Sequence, residues 1–123
     1  MKKALILVDH GSVFDAANEQ LAALADLLRK RNHEFDIVRH AHMELARPTI
    51  GESFDECVSE GALDITVHPY FLAPGRHSTT DIPRMVEAAA ARHPEVRYRV
   101  TEPLGIHESL LDIVLERARD RCD

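Results

Sequence analysis

Three short stretches of the chain carry side chains able to hold a metal or move a proton: DHGS at 9–12, AHMELARP at 41–48 and PYFLAPGRHSTTDIP at 69–83. The groups of interest are His10, Glu44 and His77. Imidazole suits iron, cobalt, nickel, copper or zinc, and its ordinary pKa near ~6.5 lets it exchange a proton at neutral pH. A carboxylate facing two imidazoles becomes a third ligand or a proton acceptor. Each residue also has a plainer reading. His10 or Ser12 can cap a strand or helix end, Glu44 can pair with Arg47, and a loop histidine such as His77 can simply face water.

What favours chemistry is where the elements put these residues. Lys3 to Asp9 (KALILVD) reads as a buried strand, and about Asp15 to Arg31 as a helix with Leu21, Leu24, Ala25, Leu27 and Leu28 at helical spacing. Phe35 to His40 reads as a second strand. Pro48 to Glu60 follows as a helix with proline in its first turn, Ile50, Phe54, Cys57 and Val58 on one face, and Gly61 as its C-terminal cap. Ala62 to His68 is a third strand. Thr80 to Arg92 is a helix capped by Thr79 or Thr80, with Pro83 tolerated in the first turn. Val96 to Thr101 is a fourth strand, and His107 to Arg121 a last helix bearing Leu110, Leu111, Val114 and Leu115.

Strands and helices that alternate in this way imply a parallel sheet flanked by helices. The expected fold is a single doubly wound α/β domain over residues 1–123 with a four-stranded parallel sheet. In open parallel sheets ligands bind beyond the carboxyl ends of the strands. The segments after the strands hold His10, Glu44 and His77, so those residues are expected at one edge. His40 and His42, at i and i+2, share a face if the second strand extends that far, and form a competing metal pair. His33 and His93 suit helix ends; His68 closes the third strand and His107 opens the last helix.

Composition narrows the function further. The chain has 123 residues, 45% hydrophobic and 29% charged, and a formal net charge of -6, which argues against generic nucleic-acid binding. Twelve of its fifteen basic residues are arginine, however, so a local cluster can still hold an anionic ligand. The apolar run Ala4 to Val8 is too short for a signal peptide, and no stretch approaches transmembrane length. Cys57 and Cys122 are expected as free thiols in a reducing cytoplasm. P-loop, G-x-G-x-x-G, G-x-S-x-G and C-x-x-C motifs do not occur. A Ser12 nucleophile beside His10 is the weakest of the alternatives, because adjacency in sequence does not orient the pair.

VDHGS, AHMELARPTI, HPYFLAPGRHSTTDIP and EPLGIHESLLDIV, in that order and spacing, resemble the small class II tetrapyrrole metal chelatases, the sirohydrochlorin ferrochelatases and cobaltochelatases of the CbiX/SirB type. The resemblance runs from about Leu5 to Val114. It implies an ATP-independent lyase that inserts a divalent metal (Fe2+, Co2+ or Ni2+) into sirohydrochlorin, with no cofactor beyond that metal. By the same resemblance His10, His77 and Glu44 are the catalytic and metal-binding residues. Ser12, Arg76, Tyr70, Phe71, Leu72 and Leu104 are candidates for contact with the macrocycle. Short members of the family imply a homodimer. One departure is plain: relatives often carry arginine directly after HGS, where this chain has Val13-Phe14. That change keeps a non-catalytic metal or tetrapyrrole carrier as the alternative; a second is a metal-dependent hydrolase of a small anion, which needs a fixed metal and an activated water.

Overall fold

The computed structural model describes residues 1–120. Its elements are β1 (Lys2–Asp9), α1 (Asp15–Arg29), β2 (Ile37–His42), α2 (Ile50–Ser59), β3 (Ala62–Pro69), a single π-helical turn (His77–Asp81) running into α3 (Ile82–Ala90), β4 (Arg97–Val100) and α4 (Glu108–Arg119). The four strands form one parallel sheet in the order β2-β1-β3-β4. This is the α/β fold expected from the alternation of elements.

Alternation along β1 explains the layers. Ala4, Ile6 and Val8 join a core with Phe54 and Cys57 of α2, Ile65 and Val67 of β3, and Ile82, Val86 and Ala89 of α3. Leu7 turns to the opposite side and packs with Val38, Leu21 and Ala25, the last two from α1. Passing from β1 to β2 and then back across to β3 reverses direction in the sheet. Right-handed crossovers therefore put α1 on one face and α2 with α3 on the other.

Several boundaries differ from the sequence reading, each for a local reason. β2 reaches His42 rather than stopping at His40, because Asp9 pairs with His42 in the β1 register. Pro48 is outside α2: Thr49 is the N-cap and closes a capping box with Glu52, which sets the helix start at Ile50. Gly61 lies just past the end at φ +101 and donates to the Val58 carbonyl, as expected of a C-terminal glycine. Leu27 of α1 is exposed.

The largest correction concerns residues 77–81. Neither Thr79 nor Thr80 caps a helix, because helical backbone already begins at His77. Pro83 has no N–H and crowds the carbonyl four residues before it. The turn ahead of it widens, and the Ile82 N–H reaches the His77 carbonyl five residues back. The Thr79 hydroxyl donates instead to the Gly75 carbonyl at 2.7 Å.

The last helix also departs from expectation. α4 buries none of its residues, and Leu111, Ile113, Val114 and Leu115 are exposed. It follows β4 in the chain. The expected end of this helix at Arg121, and Cys122, lie outside the described residues.

Candidate active site at the carboxyl edge

His10 and Glu44 are mounted on adjacent strands, each just beyond its end. The parallel ladder continues past the strands, with Met43 N–H donating to the Asp9 carbonyl at 2.9 Å and Glu44 N–H to the His10 carbonyl at 3.2 Å. This brings His10 Nε2 to 3.1 Å from Glu44 Oε1. Gly11 makes that approach possible. It sits at φ +92, and a Cβ there would lie 1.9 Å from the Glu44 carbonyl oxygen, so any other residue would push the two segments apart. Leu45, next to Glu44, adopts φ 69 without being glycine. Strain of that kind is retained where the surrounding structure holds a site in shape.

His77 arrives from the third strand end. The turn 75–79 is tied by the Ser78 hydroxyl, which accepts from Gly75 N–H at 3.0 Å, and by Thr79. The His77 and His10 rings lie 4.9 Å apart between centroids, edge to face. His77 Nδ1 is 3.0 Å from Asp81 Oδ2, one helical turn on. A carboxylate on one ring nitrogen fixes the tautomer and leaves the other, Nε2, to act. Asp81, which the sequence suggests only as part of a helix start, is therefore the residue that orients the His77 ring. The i, i+4 spacing from His77 was the available signal, but it means something only if residue 77 is helical.

His10, Glu44 and His77 are each about half exposed, with side-chain exposures of 41%, 57% and 51%. Among the described residues no three His, Cys, Asp or Glu side chains converge tightly enough to enclose an ion. The arrangement is thus an open one, two imidazoles and a carboxylate joined through His10, suited to transient contact.

The remaining sequence candidates are placed as follows. Ser12 begins the turn into α1; its hydroxyl accepts from Phe14 N–H at 3.0 Å, and Asn18 bonds both its N–H and its carbonyl, at 2.9 and 2.7 Å. Arg76 is exposed beside His77 and has no ion-pair partner among the described residues. Arg47, by contrast, is committed to Glu52, its Nε 3.1 and 3.0 Å from the two carboxylate oxygens. Leu72 is exposed, whereas Phe71 packs against the larger core and Tyr70 against the smaller. Leu104 N–H donates to the Phe71 carbonyl at 2.9 Å, which ties the loop after β4 to the loop after β3. Tyr70 and Leu104 line a groove of about 370 Å³ with Leu24 and Leu28, on the α1 side of the sheet. Val13, Phe14, Leu45 and Ile106, which the sequence reading did not select, are exposed in the segments after β1, β2 and β4. A cavity of about 540 Å³ is lined by Ser12, Val13, Asn18, His40, His42 and Leu45 among others.

His40 and His42 do share a face, their rings 5.5 Å apart. Their environments diverge. Burial, and then neighbouring His42 and Arg29, push the His40 pKa down, while His42 is 1% exposed with Nδ1 2.6 Å from Asp9 Oδ1. His68 is also pushed down, by burial; His93 bonds Asp55 at 2.8 Å, and His107 accepts from Ser109 N–H to cap α4.

Fold and site together define a class: a parallel α/β domain with an open histidine–carboxylate cluster beyond its strand ends. Comparison with known proteins narrows it. The CbiX family model matches residues 4–121, and the chain belongs to that family. It is 42% identical over 92% of its length to the chloroplastic sirohydrochlorin ferrochelatase of Arabidopsis thaliana, covering 50% of that protein. It is 33% identical over 97% of its length to the sirohydrochlorin cobaltochelatase of Methanocaldococcus jannaschii, covering 99% of it. The crystal structure of the chelatase SirB from Bacillus subtilis subspecies spizizenii in complex with cobalt superposes with a TM-score of 0.91 at 33% identity, covering 98% of this chain and 51% of that one. The chain thus spans about half the length of the Arabidopsis and Bacillus relatives, and nearly all of the Methanocaldococcus one.

Proposed function

We propose that the protein is a sirohydrochlorin metal chelatase that inserts Fe2+ or Co2+ into the macrocycle without ATP. The observation that carries this reading is the contact of His10 with both Glu44 and His77 at the carboxyl edge, in a chain of the CbiX family. The names of its relatives support the substrate pair.

The reaction requires a hydrated divalent ion to lose water, meet the ring nitrogens and displace two pyrrole protons. His10 and His77 offer nitrogen donors that an ion can leave again, because nothing encloses it. Glu44, 3.1 Å from His10, accepts a proton released from the macrocycle, and the imidazoles pass protons on to water. Leu72, Leu45, Phe14 and Ile106, exposed in the loops after the strands, offer apolar surface to a macrocycle. Arg76 is available to its carboxylate arms, since Arg47 is held by Glu52. No cofactor beyond the metal substrate is needed by this scheme, and a cytoplasmic setting goes with it. Among the described residues no helix is long and apolar enough to cross a membrane.

A homodimer completes the reading. The longer relatives are about twice this length, and α4 presents an unburied apolar row on which a second copy can pack.

The test is an anaerobic absorbance assay with sirohydrochlorin and Fe2+, Co2+ or Ni2+ in turn. Catalytic turnover is expected, with His10→Ala and His77→Ala each slower by ~100-fold or more. Stoichiometric binding with no turnover would make the protein a carrier, and unchanged rates in both variants would overturn the site.

A further inference from the structure

We propose that Asp9 and His42 form a positioning pair that sets the separation of His10 and Glu44, and through it the affinity of the site for its metal substrate; this rests on the chelatase reading. The two residues are register partners on β1 and β2. Asp9 immediately precedes His10, and His42 stands two residues before Glu44. Their side chains meet at 2.6 Å, Nδ1–H of His42 donating to Oδ1 of Asp9, at the last rung before the two reactive groups.

The local packing makes this rung directional. His42 is 1% exposed, and its Cβ would lie 3.2 Å from a Cβ on Gly11, the residue against which the Glu44 carbonyl is pressed. His42 thus flanks the Gly11 position from β2, in the same segment that carries Glu44. Asn18 pins the following turn through Ser12, so the His10 segment is held on one side by that turn and on the other by Asp9. The preceding rung on this face, Leu7 opposite His40, and the one before it, Leu5 opposite Val38, include no such cross-strand polar contact. An apolar pair would seal the layer equally well, and a polar pair of this kind is by itself weak evidence of stabilisation. A short charged hydrogen bond fixes distance and direction in a way apolar contact does not.

The role is tested by metal insertion kinetics with Co2+ and sirohydrochlorin, beside thermal melts of each variant. Asp9→Ala removes the acceptor, and His42→Phe keeps a ring while removing the donor. Each is expected to raise KM for Co2+ by ~10-fold or more, as loss of outer support does at metal sites, with KM for sirohydrochlorin little changed. Asp9→Asn keeps an acceptor oxygen in place and is expected to recover most of the loss. If Asp9→Ala and Asp9→Asn are equally impaired, or if both KM values are untouched and only the melting temperature falls, the pair is structural and the inference fails. Should the wild type insert none of Fe2+, Co2+ and Ni2+, the chelatase reading falls instead. Co2+ titration followed by visible absorbance then decides the inference separately: positioning predicts weaker binding in Asp9→Ala than in Asp9→Asn, and equal binding refutes it.

Discussion

The two faces of the sheet are built to different ends. Beneath α2 and α3 lies a continuous apolar core in which Ile6, Phe54, Ile65, Val67, Ile82 and Val86 are wholly buried. Under α1 the buried cluster is only Leu7, Leu21, Ala25 and Val38, and the same face carries His40, His42 and Asp9 beside a cavity of about 540 Å³. α4, in turn, buries nothing. One face supplies the rigidity, and the other leaves polar groups and unfilled space next to the strand ends. The lesson concerns division of labour. His10 and Glu44 can sit in a strained, half-open arrangement because the strands bearing them are clamped from behind.

The sharpest way to break that contrast is Phe54→Ala. Phe54 is wholly buried between α2 and the sheet, so truncation removes a large apolar side chain and leaves a cavity. A loss of ~3–5 kcal/mol is expected from chemical denaturation, enough to consume much of the stability of a small domain. A loss below ~1 kcal/mol would show that this face is not the clamp. The same burial pushes the Cys57 thiol up to about 12. In the native protein Cys57 should therefore resist thiol reagents at pH 8 and react only on unfolding. Rapid labelling at Cys57 would show that the core opens readily.

The start of α2 tests the clamp more gently. Thr49→Ala removes the capping bond to Glu52 N–H, 3.1 Å long, at an expected cost of ~1 kcal/mol. Glu52 also gives the helix a pH dependence. Hydrogen bonds from Arg47, then from the Thr49 backbone, hold its carboxyl at about 2 against an ordinary 4.5. Between those values the unfolded chain binds a proton at this group that the folded chain does not. The contribution is thus present above about pH 4.5 and is lost as pH falls towards 2. Melts of Glu52→Gln should show a shallower decline across that window than wild type. An identical decline would mean that other carboxylates carry it.

How far this was legible in the sequence depends on what sets each feature. Hydrophobic runs and their spacing announced four strands and four helices, and strand order then assigned the edge where His10, Glu44 and His77 meet. The end of β2 was not legible, because pairing of His42 with Asp9 arises from register across strands thirty residues apart in the chain. The helical start at His77 was hidden by Pro74, Gly75 and Pro83, which read as loop or first-turn residues. Only the widened turn reconciles them with a helix, and without it Asp81 has no reason to face His77. Tyr70 and Phe71 suggest cleft walls by position; the structure shows both half-buried, one packed against each core, with Tyr70 also lining a groove.

The smallest expected effect on stability is also the one that separates the two faces most cleanly. Leu111 and Val114 sit three residues apart on α4, on neighbouring positions of its surface, and both are exposed. Replacing both with serine removes apolar groups that contact little within one chain. Stability measured by denaturant at protein concentrations low enough to favour monomer should change by no more than ~0.5 kcal/mol. Under the homodimer proposal the same variant should sediment as a monomer at concentrations where the wild type is a dimer, because an exposed apolar row is removed from a contact that needs it. The wild type's own melting temperature should then rise with concentration, and the variant's should not. A large loss of stability at low concentration would mean that α4 packs on its own sheet after all. An unchanged dimer would move the interface elsewhere, leaving the apolar groove of Tyr70 and Leu104 as the next surface to disrupt.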